Sequence, residues 1–467
     1  MTLTRGQFLL FVSGISWVKC LALLIFFVWL TPSSQRLGYY PDSQIYEAIA
    51  NNLVSGAGFS TGNKPPYKPT MIKEPLYPMI IAVMKWAFGL DLAGVVVVQM
   101  LTNPLIAVLV YLLGVELFNE KVARLSSLLV AIIPVYGVIS FWVMPENFFL
   151  ILFSATMLVL VWAGRSDGWA VYLVSGALLG LCALAKNVVL PLVVLYPTLI
   201  VICRKGLDKA RFLRNAALFV LAFSLLTTPW MLRNKEKLGL FSISARGGAL
   251  LSHQAAWAAN FTLDEWKAYS LYVFTGSLAQ KLYPQVLGED LGEYEYSVLM
   301  RRSYVDGLMT NHKEGEVDRI LIREALQNIR EHPFKFAFLS ILAELQSVKY
   351  LVPTGLTMLK GPAGWQWLLQ LVRLALLVLG VILTFLTIKG LLRSRDHLCK
   401  YSMLLVAIAC FHIASAFLGI IPGSIPRYIL PVTVFYSFFI VIAVLGLEAA
   451  ARESATTASG PLGSGMP

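Results

Sequence analysis

Long stretches without charge recur along this chain and set its hydrophobic pattern. Each is close to the ~20 residues that an α-helix needs to cross a bilayer, and polar or proline-containing residues separate one from the next. We place these spans at about 9–31, 92–118, 122–143, 146–164, 169–186, 187–203, 212–231, 364–388, 400–421 and 427–448. The pattern therefore predicts an all-α polytopic membrane protein with about ten transmembrane helices and external juxtamembrane helices.

Two further apolar stretches, at 76–90 and 334–352, fit a span poorly. The first is short and contains Lys85, and the second contains Glu344 and two lysines. Counting the second as a span would also move the basic residues at 389–400 to the other side of the membrane. We therefore predict that both stretches are helices near the membrane interface.

Basic residues orient the predicted spans. Lys121, Arg124 and Arg165 fall on the same side as the basic clusters at 204–214 and 389–400 if the chain starts in the cytoplasm, as expected for loops that stay inside. The short loops favour a bacterial inner membrane, with the other face toward the periplasm.

The span pattern divides the chain into modules. An N-terminal transmembrane module covers 1–231 and includes an external first loop at 32–75. An external helical region at 232–363 follows, and C-terminal transmembrane helices occupy 364–450. The tail at 451–467 is rich in Ser, Gly and Pro, a composition typical of disorder.

Composition changes this picture little. Only 14% of the residues are charged and 57% are hydrophobic, with mean hydropathy +0.70, whereas soluble domains carry about 25% charged residues. A soluble protein is therefore excluded. The net charge of +12 would suggest nucleic-acid binding in a soluble protein, but here membrane topology explains it. The five cysteines lie in or beside apolar segments without metal-binding spacing.

Charged residues in or beside the spans are few on the predicted outer side, and such residues are functional candidates. The acidic ones are Asp42, Glu74 and Glu146. The basic ones are Lys73, Lys186, Arg233 and Arg427. A carboxylate can take a proton from a hydroxyl, and arginine and lysine bind phosphate. This inventory predicts sugar transfer from a lipid phosphate, with cations in place of a metal and no cofactor.

Each of these residues also has a purely structural interpretation. Asp42 can cap the helix that follows it, and Glu146 can favour the dipole of its helix. Lys186 and Arg427 can reach to the interface from span ends, and Arg233 can be a flanking charge. A pair of glycines, Gly176 and Gly180, is typical of close helix packing.

Five motifs occur in an order known from a family. They are PDSQIYEAIANNLVSGAGFS, KEPLYPMIIA, MPENFF, TTPWMLRN followed by Gly239, and IPRYILP. In this order the chain resembles the GT-C superfamily of integral-membrane glycosyltransferases. It is most similar to the family-39-like branch, which includes protein O-mannosyltransferases and the lipid A aminoarabinose transferase. Two departures are Lys73, where arginine is usual, and a single Asp42 instead of an acidic pair. There is no Trp-Trp-Asp element of the oligosaccharyltransferases.

The resemblance implies roles for particular residues. Asp42 would be the catalytic base, and Glu146 would orient Asp42 or the acceptor. The lipid phosphate would be bound by Lys73, Lys186, Arg233, Arg427 and Tyr428. Donor or acceptor would be positioned by Tyr46, Glu74, Tyr77 and Asn234. The family generally inverts the anomeric centre in one displacement, so the expected enzyme moves a hexosyl or pentosyl group from a polyprenyl-phosphate carrier to an acceptor hydroxyl.

The acceptor stays open among a lipid, a cell-envelope glycan and a protein. A lipid-linked sugar flippase is the alternative function. Transporters, however, are typified by paired repeats and broken helices at the membrane midplane, whereas the polar residues here lie toward one face. A scaffold subunit is a third interpretation, in which Asp42 would affect assembly and not chemistry.

Overall fold

The computed structural model describes residues 3–30, 41–62, 64–204, 206–260, 302–349, 366–418 and 424–446, with short pieces between 262 and 287 and residue 351. The predicted tail at 451–467 and much of the stretch from 261 to 301 lie outside the described residues. Within the described ones, the protein is almost entirely helical and has one two-stranded sheet. The all-α membrane architecture is therefore confirmed.

Seven of the described helices are long and apolar enough to cross a membrane. They span Arg5–Val28, Leu92–Leu117, Glu146–Arg165, Lys209–Leu238, Leu374–Arg393, Arg395–Leu418 and Arg427–Leu445. The predicted spans at 169–186 and 187–203 are the shorter apolar helices Trp169–Ala185 and Asn187–Cys203, and the stretch at 76–90 is another, Leu76–Phe88.

The predicted span at 122–143 is a bent pair of helices. Its halves, Glu120–Ile132 and Val135–Phe141, meet at 62°. Pro134 lies between them and cannot donate a helical hydrogen bond. Ile133, which precedes that proline, has φ −58° and ψ 122°, the extended conformation that a following proline favours.

The elements in chain order have the following bounds. The first half contains α1 (Arg5–Leu30), α2 (Pro41–Val54), β1 (Ser60–Thr61), β2 (Lys68–Pro69), α3 (Leu76–Phe88), α4 (Leu92–Thr102), α5 (Pro104–Leu117), α6 (Glu120–Ile132), α7 (Val135–Val138), α8 (Glu146–Arg165), α9 (Trp169–Ala185), α10 (Leu192–Cys203) and α11 (Lys209–Leu238). The second half contains α12 (Gly247–Asn260), α13 (Pro284–Leu287), α14 (Arg302–Asn311), α15 (Glu314–Glu331), α16 (Pro333–Leu345), α17 (Gln366–Arg393), α18 (Leu398–Leu418) and α19 (Ser424–Leu445). Helix α11 continues through the predicted module boundary at 231.

Helices α9 and α11 approach each other closely at two glycines of α9. A Cβ atom on Gly176 would stand 2.1 Å from the Phe219 carbonyl oxygen, and one on Gly180 would stand 3.2 Å from that of Phe223. The first distance is impossible without moving a backbone, and the second needs only a small shift. The two glycines therefore pack helices together, the structural interpretation that their spacing favours.

We expect Gly176→Ala to destabilise the protein and Gly180→Ala to do so less. The added methyl of Gly176→Ala forces α9 and α11 apart, and overpacking typically costs about 1–3 kcal/mol. Thermal unfolding of the two purified variants in the same detergent measures the difference. Equal midpoints for the two variants would contradict the packing described here.

The helices after α11 pack on the membrane helices. Helix α12 lies against α15 and α16, and the Gly248 amide donates to Asp318 Oδ1 at 2.9 Å. Helix α16 also contacts α18, where Glu344 bonds the His412 ring. This contact holds the 334–352 stretch against a membrane helix, while its predicted place near the interface stays a prediction.

Helix α8 runs between two groups of charged residues. It begins at Glu146 and ends at Arg165 after 20 residues, a length of about 30 Å at 1.5 Å per residue. A pocket at its Arg165 end is also lined by Arg204 and Lys400. Basic residues from three separate connections therefore meet at one end, as the charge pattern predicts. The candidate site lies at the other end.

Candidate functional site

A continuous chain of ion pairs joins five of the predicted site residues. Lys73 Nζ lies 2.6 Å from Asp42 Oδ1, and Arg427 Nη2 lies 3.1 Å from Asp42 Oδ2. The same guanidinium reaches Glu146 Oε1 through Nε at 2.6 Å, and Lys186 Nζ lies 3.1 Å from that oxygen. Arg427 thus bridges two carboxylates that are far apart in the sequence.

Local sequence explains why these charges meet at one level. Asp42 lies in the first turn of α2, directly after Pro41, and Glu146 opens α8 directly after Pro145. Lys186 follows the end of α9 with extended backbone, φ −152° and ψ 115°. Charged residues at helix ends avoid the bilayer centre, where their burial is costly. The residues therefore converge where helices begin and end.

Arg246 also belongs to this network of ion pairs, although its sequence context did not predict it. Its Nη1 lies 3.6 Å from Asp42 Oδ2. It precedes α12 in a connection of the 232–363 region, where basic residues are common, so no pattern singles it out. We call the six residues Asp42, Lys73, Glu146, Lys186, Arg246 and Arg427 the ion-pair cluster.

Burial and charge act against each other in the ion-pair cluster. Burial alone would raise the pKa of Asp42, but Arg246, Arg427 and Lys73 outweigh it and hold that pKa well below its ordinary value. Burial lowers the pKa of Lys73 to about 7, helped by Arg246 and opposed by Asp42. The neighbouring Asp42 charge raises the pKa of Arg246. Asp42 is therefore ionised and a weak base in this state.

Two of the predicted positioning residues form an aromatic floor beneath Lys73. Lys73 Nζ stands 5.0 Å from the ring centroid of Tyr46, and the Tyr46 and Tyr77 rings meet edge to face at 5.1 Å. The Tyr77 hydroxyl donates to Gln99 Oε1 at 3.2 Å. Both tyrosines are buried. They hold Lys73 in place, and Tyr46 also lines the cleft described below.

The segment that carries Lys73 and Glu74 is fixed from several sides. Glu314 of α15 accepts hydrogen bonds from the Thr70 hydroxyl at 2.8 Å and the Met71 amide at 2.7 Å. The Ala245 amide donates to the Met71 carbonyl at 3.0 Å. The segment is therefore anchored to the first turn of α15 and to the connection before α12, and that connection also carries Arg246.

Arg233 does not join the ion-pair cluster. Its guanidinium donates to the carbonyl oxygens of Phe59 and Thr70, each at 2.7 Å, and stacks on Trp230 at 4.8 Å. These carbonyls flank β1 and β2, so the hydrogen bonds of Arg233 hold the small sheet against α11. Its neighbour Asn234 donates to the carbonyls of Ser242 and Ile243. The structure thus gives both residues structural partners and does not bring them to the predicted phosphate site.

A cleft of about 110 Å³ opens beside the ion-pair cluster. Three cations line the cleft, Lys186, Arg246 and Arg427, and so does Tyr428. Apolar side chains also line it, namely Val188, Leu250, Phe411, Ala414 and Leu418. A cleft with both kinds of lining suits an amphiphile with an anionic head and a hydrocarbon tail.

A third part of the cleft is polar but uncharged apart from one carboxylate. Asn187 Nδ2 donates to Ser244 Oγ at 3.0 Å, and Ser244 Oγ donates to Glu74 Oε1 at 3.2 Å. We call Glu74, Ser244 and Asn187 the polar shelf. Glu74 and Asn187 line the cleft. Neither Ser244 nor Asn187 was predicted, because single serine and asparagine residues carry little signal in a sequence.

The two carboxylates of the ion-pair cluster are not among the residues that line the cleft. Glu146 is only 1% exposed, and its Oε2 has no hydrogen-bond partner among the described residues. Asp42 is 17% exposed and contacts three cations. Among the described residues that line the cleft, Glu74 is the only carboxylate. The base role predicted for Asp42 stays a prediction.

Comparison with known proteins finds a family model that matches part of the chain and solved structures with a similar fold. Residues 67–232 match the family model described as dolichyl-phosphate-mannose-protein mannosyltransferase, PMT_2, a match over less than half of the chain. No curated protein matches the whole sequence significantly. The matched segment contains Lys73, Glu74, Glu146 and Lys186.

Solved structures similar to this chain include two of much longer chains and one that is moderately longer. The archaeal oligosaccharyltransferase AglB from Archaeoglobus fulgidus, in complex with an inhibitory peptide and a dolichol-phosphate, matches over 99% of this chain and 53% of its own, with TM-score 0.52 and 14% identity. The Archaeoglobus fulgidus enzyme tethered to an acceptor peptide with the NVT sequon matches over 98% and 52%, with TM-score 0.54 and 15% identity. ArnT from Cupriavidus metallidurans bound to undecaprenyl phosphate matches over 97% and 81% at TM-score 0.38 and 14% identity.

At these identities the likeness to the oligosaccharyltransferase shows a shared fold, and this chain spans about half the length of those chains. Together with the family match over residues 67–232, this shared fold agrees with the GT-C-like membrane architecture predicted from the sequence.

Proposed function

We propose that this chain is an inverting glycosyltransferase that moves one hexosyl or pentosyl group from a polyprenyl-phosphate carrier to an acceptor hydroxyl. The observation that carries the proposal is the cleft, which Lys186, Arg246 and Arg427 line together with apolar side chains. The cations would bind the phosphate of the carrier, and the apolar side chains would contact the first isoprene units. The dolichol-phosphate in the AglB complex supports a carrier of this chemistry.

The charge of the ion-pair cluster suits the departing phosphate better than the donor. Its four cations and two carboxylates leave an excess of two positive charges when Lys73 is protonated. A sugar phosphodiester carries one negative charge, whereas the free lipid phosphate approaches two near neutral pH. Charge that is matched to the departing group stabilises the transition state more than the ground state and so accelerates transfer.

The same cations make a metal ion unnecessary in this proposal, because they already neutralise the developing phosphate charge. We propose that the enzyme is a multi-pass protein of the bacterial inner membrane, with the cleft toward the periplasm. The partners are then a lipid-linked sugar and a glycan, lipid or protein acceptor in the cell envelope. The Archaeoglobus fulgidus oligosaccharyltransferase, which has a similar fold, was solved with a tethered acceptor peptide, and this supports keeping a polypeptide among the candidate acceptors.

We expect the purified full chain, in liposomes, to consume one member of a panel of labelled polyprenyl-phosphate monosaccharides when candidate acceptors are supplied. Transfer should persist in EDTA, since arginine and lysine supply the positive charge. The product should have the opposite anomeric configuration to the donor, which NMR can determine. Labelled lipid that crosses the bilayer without being consumed would instead favour a flippase. Loss of transfer in EDTA that a single divalent ion restores would contradict metal independence.

A further inference from the structure

The polar shelf contains a carboxylate without the ion pairs that occupy the other two. Asp42 contacts three cations, and Glu146 contacts two. Glu74 forms no ion pair within 4 Å among the described residues, and its one hydrogen bond there comes from Ser244. One of its oxygens is therefore available to a ligand.

Glu74 also has access to the cleft that is proposed to bind the donor. It lines the cleft together with the three cations proposed to bind phosphate, whereas Asp42 does not line it. A general base has to come within hydrogen-bonding distance of the proton that it removes. Access to the cleft therefore favours Glu74 over Asp42.

We propose that Glu74 is the general base that activates the acceptor hydroxyl, a proposal that rests on the proposed function. The acceptor oxygen forms a bond to the anomeric carbon, and the bond from that carbon to the phosphate oxygen breaks. The electron pair leaves on the lipid phosphate beside Lys186, Arg246 and Arg427. The acceptor proton passes to a carboxylate oxygen of Glu74, while Ser244 and Asn187 hold that carboxylate in position.

This assignment keeps the charge of the cleft balanced through the reaction. With Glu74 ionised, the ion-pair cluster and Glu74 together carry one excess positive charge, matching the single negative charge of the donor. When Glu74 takes the proton, the excess becomes two, as the departing phosphate approaches two negative charges. Asp42 then has a different task, which is to hold Lys73, Arg246 and Arg427 in place.

The test compares Glu74→Gln with wild type and Asp42→Asn, using the full chain in liposomes and the donor that the panel identifies. Glutamine keeps an oxygen for the Ser244 hydroxyl but cannot take a proton, so a merely structural role would survive the change. We expect kcat to fall by about 10²–10⁴-fold, the usual contribution of a general base, with little change in the KM for donor. Glu74→Asp should recover part of kcat.

The pH profile separates the two carboxylates. Wild-type kcat should fall at acid pH as the base becomes protonated, and this acid limb should vanish in Glu74→Gln but persist in Asp42→Asn. A loss of less than tenfold in Glu74→Gln, or an intact acid limb, would overturn the proposal. So would an acid limb that vanishes only in Asp42→Asn. Failure of the wild type to consume any donor, or to bind added polyprenyl phosphate, would count against the proposed function itself.

Discussion

Replacing Arg427 by lysine should lower kcat/KM for transfer by about 10²–10³-fold, the range seen when one donor to a developing anion is removed. The Arg427 guanidinium contacts Asp42 and Glu146 at once and also lines the cleft. A lysine ammonium keeps the charge but is a single point, so it cannot occupy both contacts. Steady-state kinetics with the identified donor, normalised to folded protein, measures the effect.

Arg233→Lys is the matched control. It is the same chemical change in a residue that the motif also assigned to phosphate, but Arg233 bonds the carbonyls of Phe59 and Thr70. Its replacement should lower the unfolding temperature and leave transfer per folded molecule close to that of wild type. Equal losses of turnover in the two variants would return Arg233 to the donor site.

Glu146→Gln should destabilise the protein by about 3–5 kcal/mol, the usual cost of removing one member of a buried ion pair. Glu146 is almost fully buried and pairs with Lys186 and Arg427. Arg427 also pairs with Asp42. A neutral amide leaves two cations without that charge in a region of low dielectric. Thermal unfolding in detergent, at matched lipid content, measures the loss.

Glu120→Gln provides the comparison for this second variant. Glu120 also pairs with two arginines, Arg5 and Arg124, but its side chain is 31% exposed, so the change should cost only about 0–1 kcal/mol. Adding Lys186→Met to Glu146→Gln should recover part of the lost stability, because it removes an uncompensated charge. A double variant less stable than the additive sum of the single variants would contradict the pairing.

The site residues that could be predicted are those in parts of the sequence where charged residues are rare. Asp42, Glu146, Lys186 and Arg427 stand out because charges beside long apolar segments are expensive, and the structure brings all four together. Arg246 belongs to the same cluster but lies in a stretch of ordinary charge density, where one more arginine is not informative. A pattern thus identifies a charge where the background is low.

Membership of a motif did not place every charged residue in the ion-pair cluster. Arg233 and Asn234 occupy a recognisable motif, yet successive residues of a helix point about 100° apart, and a motif does not fix which face meets the cleft. The structure turns Arg233 toward the small sheet. The length of an apolar run likewise does not show whether its helix is straight. The run at 122–143 has no charge at its centre, but it is bent by 62° at Pro134.

The bridge made by Arg427 can form only late in the synthesis of the chain. Its contact with Asp42 joins positions 385 residues apart, and its contact with Glu146 joins positions 281 apart. During synthesis, most of the membrane helices are inserted before Arg427 leaves the ribosome. Until then the nascent chain holds Asp42 and Glu146 without their shared counter-ion. Completion of α19, which carries Arg427, is therefore the event that joins the two carboxylates.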